Sequence, residues 1–430
     1  MKTIRVAVAG LGVVGRETVR LLRANQERFA ARLGTAVELV AVCDRDVRRE
    51  ARALGLPASV ARFDDPARLA RLPGVDIIVE VMGGLEAPRK LVLESLRAGR
   101  HVVTANKRLI SHTWPQLQRA SRGGARLAFE ASVAGGIPVL QALENGFAAN
   151  RIESVVGILN GTTNYILSAM ERGATAAAAL AEAQTLGFAE KDPTMDVTGQ
   201  DTAQKVSVLG ALLTGVAIPP NTIAREGIER VAAEDVAFAL GTLRRAPRLI
   251  GSLHLQWGAS VRAEASVFPT LVPLEHPLAA VRGEYNAVLV KASSAEDLMF
   301  YGKGAGAGPT ASAVVGDVFM LARDLLGGVP PRRAEVMNVV SVPIADSVSA
   351  FYLRLAAQDR PGVLARVAQA LARGGISIAT IHQSGSRGPS GASVILTTHP
   401  ARHGAFVAAL ARILAQREVG RKPTVMRMLP

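Results

Sequence analysis

The chain reads as an α/β protein of three modules, and three observations predict this. The apolar run "IRVAVAG" (residues 4–10) leads through a glycine-rich turn into an amphipathic pattern, so a strand, a turn and a helix follow one another. From about residue 151 to 300 strand-like pieces alternate with alanine-rich helical ones. The segment 349–430 then repeats the strand–helix–strand order twice over.

In the first module the turn is "GLGVVG" (10–15), with glycines at 10, 12 and 15. Gly10 allows the tight turn, Gly12 lets backbone approach a pyrophosphate, and Gly15 permits close packing of helix on strand. The helix is expected from about Val14 to Phe29. A second strand, "VELVAVCD" (37–44), ends in Asp44, where a carboxylate can bond a ribose 2′-hydroxyl. "VDIIVEVMGG" (75–84) and "RHVVTANK" (100–107) read as further parallel strands ending at the same edge. This is the pattern of a Rossmann nucleotide-binding domain over residues 1–132. The expected cofactor contacts are Gly10, Leu11, Gly12, Val13, Val14, Gly15, Asp44, Arg45, Thr104 and Lys107. Asp44 favours NAD, whereas Arg45, Arg48 and Arg49 suit the 2′-phosphate of NADP, so the residues argue both ways.

The second module, 133–304, is expected to be an α+β substrate and dimerisation domain, containing the strand "RIESVVGILNG" and an alanine-rich helix at 174–186. "GKGAGAGPTASAVVGDVFMLARDLL" (302–326) is a glycine-rich turn opening a helix, with Thr310 as N-cap. It is expected to return the chain to the nucleotide domain, completed by about 305–340, before a linker "GGVPPRRAEV" (327–336). The last module is expected to stand as an independent unit. Its strands "SAFYLRLAAQ", "ISIATIHQ", "ASVILTTH" and "PTVMRML", with two intervening helices, give the βαββαβ order of a ferredoxin-like fold.

Composition narrows the function classes. Apolar residues make up 49% and charged residues 20%, as in globular proteins. No apolar run reaches the length of a membrane span, and no secretory leader is recognised at the start. A single cysteine, Cys43, excludes an intrachain disulfide framework and a CxxC zinc site, so a reducing cytoplasmic location is expected. The net charge of +14 is dispersed arginine without a basic tail or interleaved aromatics, so no nucleic-acid partner is expected. Of the 50 basic residues only eight are lysines, which draws attention to each. Lysine can lose its proton when buried, whereas arginine effectively cannot.

One segment concentrates charge: "GFAEKDPTMDVTGQDTAQK" (187–205) places Glu190, Asp192, Asp196 and Asp201 ahead of Lys205. Hydride transfer to a carbonyl needs a proton donor for the developing alkoxide. No histidine lies between His112 and His254, so lysines and carboxylates are the candidates in this module. Lys205 follows Asp201 by four residues and shares its helical face, which also describes an ordinary ion pair on a solvated helix. Lys107, in "TANK", follows a strand at the edge where cofactor and substrate are expected to meet.

Together "AVAGLGVVG", "VVTANK", "FEASVAGGIP", "GILNGTTNYIL", "GFAEKDPTMDVTGQDTAQK" and "GKGAGAGPTASAV" resemble homoserine dehydrogenase, and the terminal module resembles an ACT domain. The motifs occur in order along essentially the whole chain, and its length resembles the monofunctional form. The resemblance implies NAD(P)H-dependent reduction of L-aspartate 4-semialdehyde to L-homoserine, and the reverse, in threonine, methionine and isoleucine biosynthesis. It implies that Lys205 is the general acid/base, and that Glu190 and Asp201 bind a substrate whose α-ammonium suits carboxylates. Asp196 belongs to the same motif, either orienting its neighbours or capping a helix. Gly187 and Gly302 match cofactor contacts. "FEASVAGGIP" resembles a loop holding a monovalent cation, sodium or potassium, through oxygens of Glu130, Val133, Gly135 and Ile137. "DRPGVLARVAQAL" (359–371) carries the ACT resemblance, which implies L-threonine as effector and pairing of modules in a homodimer or homotetramer. His382 and Cys43 are expected to be packing residues. Three competing functions remain: another dehydrogenase of amino-acid aldehydes or hydroxy acids, a catalytically silent metabolite sensor, and nucleic-acid binding, which rests only on charge. The Lys205, Asp201 and Glu190 set argues against the sensor, which has no need of a proton shuttle.

Overall fold

Short apolar strands buried along most of their length build the first sheet of the structure, a computed structural model that describes residues 3–330, 336–385 and 391–430. The linker expected over 327–336 lies partly outside the described residues. The chain folds as two compact units: Met1–Ile152, Gln204–Pro220 and Ala292–Val339 form one, and Glu153–Ala203, Asn221–Lys291 and Val340–Pro430 the other.

The first unit contains β1 (Ile4–Ala9), β2 (Val37–Cys43), β3 (Ala61–Phe63), β4 (Ile77–Glu80), β5 (His101–Thr104) and β6 (Leu127–Ala128). All neighbours pair in parallel, in the order β3-β2-β1-β4-β5-β6, so the order reverses between β1 and β4. In such sheets ligands bind outside the carboxyl ends of the strands at that reversal. Period-two alternation lets β1 serve both faces. Val6 and Val8 pack with Val19, Leu22 and Val318 on one side. Ala7 and Ala9 pack with Cys43, Leu69, Ile78 and Leu91 on the other. Cys43 is therefore a packing residue, and burial pushes its thiol up to about 12.

Two local expectations change. The helix after the glycine turn runs Val13–Ala24 and breaks at Asn25, and a second helix covers Gln26–Leu33. The Asn25 amide donates to the Leu21 carbonyl at 2.9 Å, competing with the backbone for that acceptor. The helix Ala307–Leu326 begins after Gly306, whose φ of 110° glycine tolerates, so Thr310 sits inside the first turn and is not the cap.

The second unit is built on a sheet containing β7 (Ile152–Ile158), β8 (Arg245–Gln256), β9 (Val261–Pro273), β10 (Tyr285–Ala292), β11 (Val348–Ala357), β12 (Ile378–Ser384), β13 (Ala392–Thr398) and β14 (Thr424–Met428). Their order is β10-β7-β8-β9-β14-β11-β13-β12. The last four strands, with helices Val363–Ala372 and His403–Leu414 on one face, form the expected βαββαβ module. Phe351, Leu353 and Leu355 bury against Val367, Leu371, Phe406 and Ile413, and the Phe351 and Phe406 rings stack at 4.0 Å.

This module is not independent. β14 continues the sheet by pairing in parallel with β9, Thr270 opposite Arg427 and Leu271 opposite Met428. A buried ionic cluster crosses the same junction. The Arg354 guanidinium donates to both Asp235 oxygens at 2.6 and 2.9 Å, and the Tyr352 hydroxyl adds a third bond at 2.7 Å. Asp235 is fully buried and also accepts the Ala232 N–H at 2.7 Å at the start of helix Ala233–Gly241. His382, expected to pack, is instead exposed on β12 with its ring 5.2 Å from that of Phe238. Among the described residues, no helix is long and apolar enough to cross a membrane.

Candidate active site

The glycine turn follows β1, and its three glycines meet different surroundings. Gly10 has φ 96°, and a Cβ there would lie 2.6 Å from the Val81 carbonyl. A Cβ on Gly15 would fall on the Gly10 carbonyl oxygen, whereas one on Gly12 would meet nothing within 4 Å. The first and third glycines are thus needed for packing, and the second faces open space at the N-terminus of helix Val13–Ala24. Leu11 is buried, and Val13 is 74% exposed in the first turn of the helix. Such a terminus presents unpaired N–H groups and the positive end of the helix dipole.

Asp44, at the end of β2, accepts the Leu11 N–H at 2.7 Å and the Asp46 N–H at 3.0 Å. Arg45 is exposed. Arg49 bonds Asp46 and Glu50, and Glu50 is also bonded by Arg16 at 2.6 Å. At the end of β4 stands a residue the sequence reading missed. Glu80 is fully buried, and desolvation raises its carboxyl pKa. Its carboxylate accepts the Thr104 hydroxyl at 2.6 Å and the Met82 N–H at 2.9 Å. Thr104 in turn accepts the Asn106 N–H at 3.0 Å, and the Asn106 side chain caps helix Lys107–Ala120. The signal in the sequence is an acid inside the apolar run "VDIIVEV".

Lys107 is the first residue of that helix and half-buried. Lys205 is buried in the helix Gln200–Thr214, whose carbonyl end is tied to the Lys107 helix within the first unit. The Trp114 indole and the Gln118 amide both donate to the Gly215 carbonyl at 2.9 Å. They satisfy an acceptor that would otherwise be left at the end of a helix.

The acidic segment separates into two parts. Glu190 and Asp192 are exposed, and Asp192 accepts the Thr194 N–H at 3.1 Å, so Asp192 does the local capping that Asp196 was offered for. Asp196 and Asp201 converge on one side chain. The Asn160 amide donates to Asp196 at 2.7 Å and to Asp201 at 2.9 Å. Asn160 precedes helix Gly161–Glu171 in "LNGTT", an N-cap signature that the sequence reading quoted without giving it a role. Gly187, with φ 76°, ends helix Ala176–Thr185 in this second unit.

The loop Glu130–Ile137 is held tightly in the first unit. Ala134 and Gly135 have φ of 54° and 51°, and a Cβ on Gly135 would collide with the Gly304 carbonyl. Left-handed backbone at an alanine costs roughly 1–2 kcal/mol. The Gly136 N–H donates to the Lys303 carbonyl at 3.1 Å, and a Cβ on Gly302 would lie 3.1 Å from Ile137. The Glu130 carboxylate accepts the Leu140 and Gln141 N–H groups at 2.8 and 2.7 Å, and burial pushes its pKa up to about 7. Asp317, also missed, accepts the Glu130 N–H and the Gln141 side-chain amide, each at 2.8 Å, and is likewise pushed up to about 7 by burial. Among the described residues no three of His, Cys, Asp and Glu gather into a metal-binding group.

In the terminal module, Gly362 has φ 89° and opens helix Val363–Ala372. Beside it lies an open cavity of about 600 Å³, lined by Asp359, Arg360, Gly362, Gln383 and Val394 among others. Gln383 donates to Asp359 at 3.0 Å across it.

Family models match along the chain: "Homoserine dehydrogenase, NAD binding domain" over residues 10–130, "Homoserine dehydrogenase" over 138–319 and "ACT domain" over 351–418. A homoserine dehydrogenase of Mycobacterium tuberculosis is 42% identical over 414 residues, covering 94% of this chain and 93% of that protein. The chain belongs to the homoserine dehydrogenase family. A homoserine dehydrogenase of Neisseria gonorrhoeae is 37% identical over 100% of this chain and 99% of its own length. The crystal structure of a homoserine dehydrogenase from Thiobacillus denitrificans superposes with a TM-score of 0.91 at 37% identity, covering 100% of this chain and 99% of that one. Homoserine dehydrogenases are NAD(P)-dependent oxidoreductases acting on the CH–OH group of homoserine, and amino-acid biosynthesis follows from that activity.

Proposed function

We propose that the chain interconverts L-aspartate 4-semialdehyde and L-homoserine with Lys205 as the general acid/base and Glu190 and Asp201 as substrate-binding residues. One observation carries this reading: a helix whose first turn bears Asp201, held by the Asn160 amide, bears a buried lysine one turn further on. Nicotinamide, when bound, supplies or accepts the hydride. Lys205 donates a proton to the aldehyde oxygen as it gains charge, and withdraws it from the hydroxyl in the reverse direction. Carboxylates orient the α-ammonium, and Lys107 lies near the cofactor and substrate. The cofactor residues remain Gly10 to Gly15, Asp44, Arg45, Thr104 and Lys107, with Gly187 and Gly302 carried by the resemblance.

The loop Glu130–Ile137 suits a monovalent cation bound through oxygens of Glu130, Val133, Gly135 and Ile137, several of them backbone carbonyls. L-Threonine is the effector we assign to the cavity beside Gly362. Met299 and Tyr301, 41% and 54% exposed, share one face of the strand Glu296–Lys303, an apolar surface that supports a homodimer or homotetramer. The reading places the enzyme in the cytoplasm.

The deciding experiment is the rate of NADPH and NADH oxidation with L-aspartate 4-semialdehyde on one preparation. Turnover is expected, and the ratio of the two rates reads the balance between Asp44 and its arginine neighbours. Folded protein that binds nucleotide yet turns over neither substrate pair would be a sensor instead. Calorimetric binding of L-threonine, with inhibition at millimolar concentration, tests the effector; no heat and no inhibition would remove it.

A further inference from the structure

Asn160 bonds the acidic segment from 36 and 41 residues away in sequence, and its amide orientation is set from the other side. Its Oδ1 accepts the Thr163 N–H at 2.8 Å and the Thr163 hydroxyl at 3.0 Å. Two donors on that oxygen leave the NH2 end for the carboxylates, so the assignment of oxygen and nitrogen follows from the network. Helix Gly161–Glu171 anchors this side chain rigidly. It buries Thr163, Asn164 and Ile166, and the Asn164 amide donates to the carbonyls of Gly283 and Tyr285 at 3.0 and 3.1 Å. The Thr162 hydroxyl also holds the Phe188 carbonyl at 2.6 Å, just ahead of Glu190.

One neutral amide thus draws two carboxylates together in a site where Asp201 is only 7% exposed. Like charges held this close disfavour each other, and a cationic group beside them relieves the repulsion. We infer that Asn160 is a positioning residue for the substrate ammonium: it holds the Asp196 and Asp201 side chains together as one acceptor surface. Asp196 then belongs to ammonium recognition together with Asp201, and the hydrogen bonds that stiffen the pair come from the cap of a different helix. The inference rests on the reading of Asp201 as a substrate-binding residue.

The test compares L-homoserine with 4-hydroxybutanoate, its analogue without the amino group, on the full-length enzyme. Asn160→Ser keeps a side-chain oxygen that can cap the helix and removes the amide donor. The expected result is a KM for L-homoserine raised about 10- to 100-fold with a smaller change in kcat, as for loss of charge-assisted hydrogen bonds. Binding of 4-hydroxybutanoate, read as competitive inhibition, should be unchanged, as should nucleotide affinity. Asn160→Thr, which can also cap the helix but has no amide donor, should lose the same preference; it serves if the serine variant does not fold. A variant that keeps the wild-type preference for the amino compound overturns the positioning role. Wild-type enzyme that does not distinguish the two ligands would instead overturn the substrate-binding reading of Asp201 itself.

Discussion

The turn at residues 10–15 holds its shape by excluded volume, whereas the acidic segment at 187–205 holds its shape by hydrogen bonds that arrive from elsewhere in the chain. Around Gly10 and Gly15 any added carbon meets backbone, so the geometry admits no compromise. Around Asp196 and Asp201 one amide, fixed by the helix behind it, bridges the two side chains. A steric site tolerates few substitutions and needs no partner from afar. A hydrogen-bonded site can be retuned one donor at a time, and it depends on a scaffold that its own segment does not encode.

The sharpest way to probe the acidic segment is its lysine. Lys205→Ala is expected to lower kcat about a hundredfold to ten-thousandfold, the usual worth of a general acid/base, with nucleotide affinity unchanged in a binding titration. Near-normal turnover would move the proton to Lys107 or a bound water. On the steric side, Gly15→Ala should cost about 3 kcal/mol or more by overpacking against the Gly10 carbonyl. Gly12→Ala should stay within about 0.5 kcal/mol in stability while weakening nucleotide binding. Equal losses of stability in the two glycine variants, measured by denaturant unfolding, would break the contrast.

The Asp235 cluster extends the hydrogen-bonded class to a place without chemistry. Arg354→Met leaves a buried carboxylate without its cation and should destabilise by about 3 kcal/mol. Tyr352→Phe removes one neutral donor and should cost about 1 kcal/mol.

The last effect expected is a pH slope. Burial, with Arg427 nearby, holds His403 down at about 4, below its ordinary 6.5. The unfolded chain then binds more protons than the folded one between those values, so stability falls as pH is lowered from about 6.5 towards 4. Melting temperatures across that window should show a shallower slope for His403→Gln. An unchanged slope would assign the acid sensitivity elsewhere.

Legibility in the sequence followed the same division. The glycine turn and the parallel strands could be read because each rests on local sterics and on runs of apolar residues. The break at Asn25 and the start of helix Ala307–Leu326 departed from expectation because one side-chain bond and one glycine dihedral decided them. Asn160, Glu80 and Asp317 were missed. Each is a polar residue in an apolar or capping context, and its partners lie far along the chain. The independence expected of residues 349–430 failed for the same reason, since the pairing of β14 with β9 joins strands that no sequence period relates.

By itself the sequence determined the strand–turn–helix elements, the motif order and the residue types available for chemistry, because these depend on neighbours along the chain. Only the tertiary structure decided that Asp196 and Asp201 share one amide, that Glu80 and Asp317 are buried supports, and that the terminal module extends a larger sheet. The physical reason is that hydrogen bonds and charge act through space, over distances the chain must fold to create.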